Sequence, residues 1–451
     1  MKMQIKGQHI AVLGAGESGG AAARLLLAEG ARVTVLDSGN ADSMREKISV
    51  LQAAGASVIA GVAADADAGD YDFAVLSPGI DPVTALVKNF RARGIPITGE
   101  LELAFVLCAR PVIAITGTNG KTTTTQLIEK MLLGCGVKTV ACGNIGPAFS
   151  AKVREGRAMD VMTVEVSSFQ LEEIRTFRPT VAVWLGFAPD HLDRYPTLQS
   201  YFDAKARIFE NQTADDWAVV NLRNPLHKLP PLKARRITFS AYERGGDFDL
   251  RDGVIHFQAK PVLKMSDTNL RGSHNAENLM AALATGLTRG LDFSQMLPPL
   301  REYRALPHRC ELIRTLDGVD YVNDSKATNL DSLEKALDGE TRKVVLIAGG
   351  KDKGFEFDSV TDLVAEKCRC AVLLGEMAGR IERLWAPRVP CINVGRSLEK
   401  ALQTAHAQAR SGDIVLFSPG TSSFDMFRNY AERGNQFRQL VQSLTPKESQ
   451  P

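Results

Sequence analysis

The sequence predicts an α/β protein of three domains, each built around a parallel sheet. Three observations predict it. The chain has 451 residues, and at roughly 150 residues per domain that length suggests about three. Short β-branched runs alternate with alanine-rich helical stretches, the rhythm of a buried parallel sheet. That rhythm stops and restarts twice along the chain.

In the first hundred residues, HIAVLG (His9 to Gly14), RVTVLD (Arg32 to Asp37) and DFAVLSPG (Asp72 to Gly79) read as buried strands, with Ala21 to Glu29 and Val83 to Arg93 as helices between them. The pattern begins again at PVIAITGTNGKTT (Pro111 to Thr123) and runs through DVMTVEVSS, TVAVWLG and WAVVN. Residues 230–270 change texture: RRITFSAY, GGDFDLRDGVIHFQ and PVLKMS suggest short antiparallel strands with Gly and Asp turns. An alanine-rich helix follows, Ala276 to Thr288. LPPLREYRALPHR (Leu297 to Arg309) has three prolines in 13 residues and reads as a linker. The third α/β run carries VDYVND, KVVLIAGG, RCAVLLGE, CINVG and DIVLFSPG. Boundaries near residues 99 and 305 follow, giving domains 1–99, 100–305 and 306–451. The tail KESQP is expected to be disordered.

Composition narrows the function classes. Hydrophobic residues make up 44% and charged residues 24%, an ordinary globular balance. With 54 Lys and Arg against 52 Asp and Glu the net charge is +2, which argues against bulk binding of nucleic acid or anionic lipid. No apolar run approaches the ~18 residues of a membrane span. The polar start, Met1 to His9, leads into an apolar segment broken by Gly14, Gly16, Glu17 and Gly19, a strand and turn rather than a signal peptide. Seven cysteines without zinc spacing suggest reduced thiols, with Cys368 and Cys370 filling core. A cytoplasmic location is the expectation.

The most specific motif is Gly117-Thr118-Asn119-Gly120-Lys121-Thr122-Thr123, between a strand and a helix. Its two glycines are only three apart, so the loop is shorter than the usual P-loop. The physics is the same. Glycines turn backbone N–H groups toward an anion, the helix N-terminus adds partial positive charge, and Lys121 reaches β/γ-phosphates. A hydroxyl from Thr122 or Thr123 can ligate Mg²⁺. The alternative is a tight turn with a solvated lysine. Glu165 ends the strand VMTVE at a sheet edge where metal ligands belong; a solvated carboxylate is its plain reading. His191, in APDHLDRYP, could be ligand, surface or core. Near the N-terminus, Gly14-Ala15-Gly16-Glu17-Ser18-Gly19 matches G-x-G-x-x-G after a strand, and Asp37 ends the second strand where a ribose-binding acid stands. This makes the first domain Rossmann-like. It fits a nicotinamide oxidoreductase, another diphosphate nucleotide such as a UDP-sugar, or simple close packing. The second nucleotide loop at Lys121 makes the dehydrogenase the less natural choice, and a non-enzymatic nucleotide switch is the remaining alternative.

GTNGKTT, EVSSFQLE, DHLDRYP with Lys205 after it, HNAEN, HRCE, NDSKATN and SPGTSSFDMF, in that order, resemble the Mur ligases of peptidoglycan synthesis. NDSKATN in particular resembles the D-glutamate-adding branch. The motifs span essentially the whole chain. The resemblance implies a Rossmann-like N-terminal domain for a UDP-sugar, a central P-loop ATPase domain, and a Rossmann-like C-terminal domain closing over both. It implies ATP-dependent joining of D-glutamate to UDP-N-acetylmuramoyl-L-alanine through an acyl phosphate, by a chain expected to be a monomer with no nucleic acid or membrane partner. Lys121, His191, Lys205 and Lys326 would be catalytic. Thr122 and Glu165 would hold one Mg²⁺, and His191 a second. Lys205 would be carbamylated, converting a cation into an anion able to hold magnesium. Asn144 would lie near the phosphates and the acyl group. Asn275 and Asn278 would contact adenine, helix capping being their alternative. Arg309, Asp324 and Lys326 would reach ATP from the third domain, Asp324 at the ribose. Thr328, Lys351 and Ser423 would hold glutamate, with Tyr430 where the family can carry Phe. Glu17, Ser18, Asp37, Ser38 and Gly79 would meet the UDP end. There Gly39 replaces an expected arginine, and Glu17 would repel a diphosphate unless it points away or contacts uracil.

Overall fold

The computed structural model describes residues 4–40, 44–191, 194–225, 228–229, 231–304 and 307–446. The tail expected to be disordered lies outside these residues, as do Ala305 and Leu306 at the expected second boundary. Three sheets organise the chain.

The first sheet contains β1 (His9–Leu13), β2 (Arg32–Asp37), β3 (Ser57–Ala60), β4 (Phe73–Leu76) and β5 (Ile97–Gly99) in the order β3-β2-β1-β4-β5. All its pairings are parallel. The order reverses between β1 and β4, which opens a crevice at their C-terminal ends.

The second sheet contains β6 (Val112–Thr116), β7 (Ala141–Gly143), β8 (Met162–Glu165), β9 (Val181–Trp184), β10 (Trp217–Asn221), β11 (Arg235–Ser240), β12 (Phe248–Arg251), β13 (Val254–Phe257) and β14 (Lys260–Lys264). Its order is β14-β13-β12-β11-β10-β9-β6-β8-β7. β6 sits between β9 and β8, so the phosphate-type loop that follows it occupies the reversal point of this sheet. Residues 230–270 are not wholly antiparallel as expected. β11 pairs in parallel with both β10 and β12, and only β12–β13 and β13–β14 are antiparallel. Turn residues marked the strands but carry no information about which neighbour a strand joins.

The third sheet contains β15 (Glu311–Leu316), β16 (Val319–Asn323), β17 (Val344–Gly349), β18 (Cys368–Leu374), β19 (Cys391–Asn393) and β20 (Ile414–Phe417), ordered β15-β16-β20-β17-β18-β19. Only β15–β16 is antiparallel. Both inner faces are covered by helices, which is why strands such as VVLIAG are buried at every position. Cys368 and Cys370 are buried in separate core clusters because the β17–β18 register shifts at Val344/Val345. All seven cysteines are free thiols.

The expected linker Leu297 to Arg309 is in part a helix, Phe293–Arg301, with Pro298 and Pro299 inside it. Its apolar face overrides the prolines: Met296 and Leu300 are fully buried. The helix lies against helix Lys121–Gly134, where Gly134 makes room. A Cβ there would meet Pro299 at 2.7 Å.

Candidate active site

The turn after β6 begins the site. Gly117 has φ +149° and Gly120 φ +83°, conformations that favour glycine. Space is equally tight: a Cβ on Gly117 would meet Leu185 at 2.8 Å, and one on Gly120 would meet Asn278 Oδ1 at 2.4 Å. Helix Lys121–Gly134 starts here, and its first-turn residues Thr122 and Thr123 are buried. The Thr118 hydroxyl donates to the Ala188 carbonyl at 3.0 Å and so ties the turn to the loop after β9. Lys121 Nζ donates to the carbonyls of Gly117 and Thr118, both at 2.8 Å. Burial lowers its pKa, with the Glu165 and Asp190 carboxylates pulling the other way.

Parallel pairing sets Glu165 of β8 beside Ile115 of β6, two residues before the turn begins at Gly117. Asn144 Nδ2 donates to Glu165 Oε1 at 2.8 Å, and the Asn144 amide donates to the Glu165 carbonyl. Glu165 Oε2 is buried without a hydrogen-bond partner. An orphaned carboxylate oxygen beside a phosphate-type turn fits a cation there. The serines after Glu165 are structural: Ser167 caps the short helix Ser168–Leu171 through a reciprocal bond with Gln170.

Lys205 lies on helix Leu198–Ala206 and is 1% exposed. Its Nζ donates to the Gly117 carbonyl at 3.0 Å and sits over the Tyr201 ring. Burial, and then the nearby Lys121 charge, push its pKa well below the ordinary lysine value. Burial thus favours the neutral, nucleophilic form of this amine. His191 has φ +55° and packs edge-on against Phe169. Burial lowers its pKa, which keeps the imidazole neutral and able to ligate metal.

A cleft of about 770 Å³ opens from this turn toward the third domain. Asn275, Asn278, Arg309, Asp324 and Lys326 all line it. Asn278 Nδ2 donates to Asn275 Oδ1 at 3.2 Å and Thr124 donates to Asn278 Oδ1 at 3.1 Å. Neither asparagine caps the helix Ser273–Thr288, whose N-cap is Gly272. Asp324 accepts from Cys310 N and from Ser418 Oγ, and burial raises its pKa to about 6. Burial and the Arg309 charge lower Lys326 to about 7; its Nζ donates to the Tyr430 hydroxyl at 3.1 Å.

The glutamate-type positions come together because β16, β20 and β17 are neighbours and end side by side. Their loops carry Thr328, Ser423 and Lys351. The Lys351 amide bonds the Ser422 carbonyl at 3.0 Å, while the Lys351 side chain is exposed and Ser423 is buried. Buried Arg433 links the first two loops by donating to the carbonyls of Ser325 and Thr421.

The UDP-type positions surround the reversal point of the first sheet, apart from the others. Glu17 is exposed at the start of helix Glu17–Ala28, and Gly79 is exposed after β4. Asp37 already accepts from Ala15 N at 2.7 Å and Gly39 N at 2.8 Å, so it braces the glycine turn. Ser38 donates to Asp65 at 2.6 Å. A Cβ on Gly39 would meet the flexible end of Met44, its Sδ, at 2.7 Å and the Asp37 carboxylate at 2.9 Å.

Several residues at the site were not singled out in the sequence. Asp190, Asn329 and Lys353 adjoin motif residues that were, and so were findable. His274 and Glu277 lie within HNAEN and line the cleft. Asn221 and Lys335 line it without any local signal.

Comparison with known proteins settles the family. Residues 8–99 match the MurD-like N-terminal domain of Mur ligases, 115–286 the Mur ligase middle domain, and 308–420 the Mur ligase glutamate ligase domain. A UDP-N-acetylmuramoylalanine--D-glutamate ligase of Geobacter metallireducens is 41% identical, over 98% of this chain and 99% of that one. The chain is a Mur ligase. The same-named protein of Pelotomaculum thermopropionicum is 40% identical over 97% and 98% of the two chains. Among solved structures, the UDP-N-acetylmuramate-alanine ligase of Thermotoga maritima shares the fold, with a TM-score of 0.62 at 18% identity over 97% of this chain and 99% of that one. A Thermotoga maritima MurF ligase solved with ADP has a TM-score of 0.59 at 15% identity, over 91% and 95%. Mur ligases use ATP and Mg²⁺, and the cleft beside Lys121, with the orphaned Glu165 oxygen, suits both. No helix among the described residues is long and apolar enough to cross a membrane.

Proposed function

We propose that this Mur ligase joins D-glutamate to UDP-N-acetylmuramoyl-L-alanine at the expense of ATP, in the cytoplasm and as a single chain. The observation that carries the reading is the convergence on one cleft of the Lys121 turn and the third-domain residues Arg309, Asp324 and Lys326, with the Glu165 carboxylate near enough to act on the charges of Lys121 and Lys326. Near full-length similarity to D-glutamate ligases supports the choice of substrates. Residues 1–99 would bind the UDP-sugar, 100–305 ATP, and 306–451 the incoming amino acid.

A carboxylate is a poor electrophile, because its oxygen does not leave at neutral pH. The reaction therefore passes through an acyl phosphate. An oxygen of the L-alanyl carboxylate bonds to the γ-phosphorus as the bond to ADP breaks. The glutamate amine then attacks the carbonyl carbon, loses a proton, and phosphate departs as the amide forms. Backbone N–H groups of Asn119, Gly120 and Thr123 would cradle the phosphates, while that of Thr118 donates to the Gly186 carbonyl at 2.9 Å and fixes the turn. Lys121 and Lys326 meet the charge on the transferring group. Lys121 must first leave the two carbonyls it now holds. Asn275 and Asn278 orient the base, and Asp324 the ribose. Asn144 is placed to meet the acyl group through its tie to Glu165. Thr328, Lys351 and Ser423 would hold the two carboxylates of glutamate, with Tyr430 forming an aromatic wall.

Thr122 and Glu165 would hold one Mg²⁺, and His191 with a carbamylated Lys205 a second. Magnesium there supplies charge neutralisation of the phosphates. Burial that favours the neutral amine of Lys205 suits carbamate formation, in which its nitrogen bonds to the carbon of CO₂ and a proton leaves. In the first domain, Ser18, Ser38 and Gly79 would meet the diphosphate, and exposed Glu17 is free to face the uracil. Asp37 would act through the turn it braces.

ADP release should require UDP-N-acetylmuramoyl-L-alanine, D-glutamate and Mg²⁺ together. Turnover with L-glutamate, L-alanine or a diamino acid in preference to D-glutamate would overturn the substrate assignment. Steady ADP release without any amino acid would overturn the ligase reading.

A further inference from the structure

Asn329 is 3% exposed and lies at the end of the NDSKATN loop, where it touches two elements of another domain. Its Nδ2 donates to Asp190 Oδ2 at 3.0 Å. Its amide also faces the amide of Asn119, with Asn119 Nδ2 3.3 Å from Asn329 Oδ1. Asn119 is a residue of the phosphate turn and lines the cleft, and its side chain reaches across to the third domain. It donates to Asp331 Oδ2 at 2.5 Å and accepts from Ser332 Oγ at 2.9 Å. Asp190 in turn accepts from Lys353 Nζ at 3.1 Å and from the backbone N–H of its neighbour His191 at 2.9 Å. Asn329, Asp331, Ser332 and Lys353 belong to the third domain; Asn119 and Asp190 belong to the central one.

We propose that Asn329 is a positioning residue that couples closure of the third domain to the shape of both the phosphate turn and the Asp190–His191 segment. It is placed to touch neither nucleotide nor amino acid. Its amide donates to Asp190 through Nδ2 and accepts from Asn119 through Oδ1 at once, whereas an ionised carboxylate of the same size can only accept. The bond to Asp190 is buried, so water does not replace it when the residue is changed. Closure by the third domain thereby sets the turn that grips the triphosphate, so phosphoryl transfer is tied to the domain that brings glutamate. The proposal rests on the reading of the reaction given above.

Asn329 also caps helix Leu330–Asp338 by accepting from Ser332 N at 2.9 Å, so a purely structural role must be separated. Asn329→Asp does this. Aspartate is an equally good cap, but it cannot donate to Asp190 and sets two carboxylates face to face. The variant should still unfold cooperatively and keep the wild-type affinity for the UDP-substrate. Its kcat/KM for D-glutamate should fall by about tenfold or more, as expected for loss of a hydrogen bond to a charged group. Asp190→Asn combined with Asn329→Asp swaps donor and acceptor, and should exceed Asn329→Asp alone by about fivefold or more on the same scale. Wild-type kcat/KM in Asn329→Asp, or a double variant no better than it, overturns the proposal. Small-angle scattering of the full chain with ADP and Mg²⁺ tests the coupling apart from chemistry. Asn329→Asp should have a larger radius of gyration than wild type, and superimposable curves overturn the proposal even if D-glutamate proves not to be the substrate.

Discussion

Lys121, Lys205 and Lys326 show how one residue type takes three roles from three environments. Lys121 sits at the mouth of a glycine turn, where its charge would meet phosphate. Lys121→Ala should lower kcat by at least about 100-fold, the scale for removing one preorganised charge from a transition state; steady-state ADP release measures it. Lys205 is buried against a backbone carbonyl, and burial favours its neutral amine. Lys205→Ala should be nearly inactive and regain part of its turnover with a short carboxylate such as formate. Full activity without rescue would exclude the carbamate. Lys326 is lowered to about 7 by burial and by Arg309. Its protonated form meets the phosphates, and that form is lost as pH rises through its pKa. The kcat/KM for ATP, which reports the free enzyme, should therefore fall above about pH 7 with a slope approaching −1 on a log scale. Lys326→Arg should flatten that limb, because guanidinium stays charged.

Among the elements, the strand-to-helix and strand-to-loop turns carry the tightest constraints. Gly120 combines φ +83° with a Cβ position 2.4 Å from Asn278 Oδ1. Gly120→Ala should weaken ATP binding by displacing an adenine-side amide, and should cost about 1–3 kcal/mol of stability from backbone strain. Gly143 is similar, at φ +105° with a Cβ position 2.3 Å from the Glu165 carbonyl. Gly143→Ala should lower the melting temperature and, by moving Asn144 off Glu165, activity too. Denaturation and assay of the same preparation separate the two effects. At this scale most of the fold was legible. Continuous apolar runs such as VIAIT and VVLIAG announce strands buried on both faces, and alanine-rich periodic stretches announce the helices between. The misreadings have physical causes. Prolines suggested a linker over residues 297–309, but a buried Met296–Leu300 face held Phe293–Arg301 as a helix. Turn residues over 230–270 marked strand ends but not the parallel partner of β11.

In the whole molecule, function depends on how the domains meet. Buried contacts from Asn119 and Asp190 to Asn329, Asp331 and Lys353 join the phosphate turn to the third domain. A ligand bound across that junction stabilises both domains at once. ADP with Mg²⁺ at 100 times its dissociation constant should raise unfolding free energy by about 2.7 kcal/mol by mass action. The UDP-substrate should act separately through the first domain. A thermal-shift series with each ligand alone and together checks this; a nucleotide without effect would exclude the cleft as its site.

The order of motifs along the chain was enough to name the chemistry. Gly117 to Thr123 specify a phosphate grip through local backbone geometry, which a sequence states directly, and NDSKATN, HNAEN and SPGTSSFDMF add their partners in a recognisable succession. What no local pattern could state is which ends lie together. Glu165 faces the grip because β8 pairs beside β6, and Thr328, Lys351 and Ser423 converge because β16, β20 and β17 are neighbours out of chain order. Asn329, Asp190 and Lys353 became partners only when two domains, separately folded around their own cores, came into contact. Strand pairing and domain contact are long-range choices made by burial, and burial depends on every element being in place.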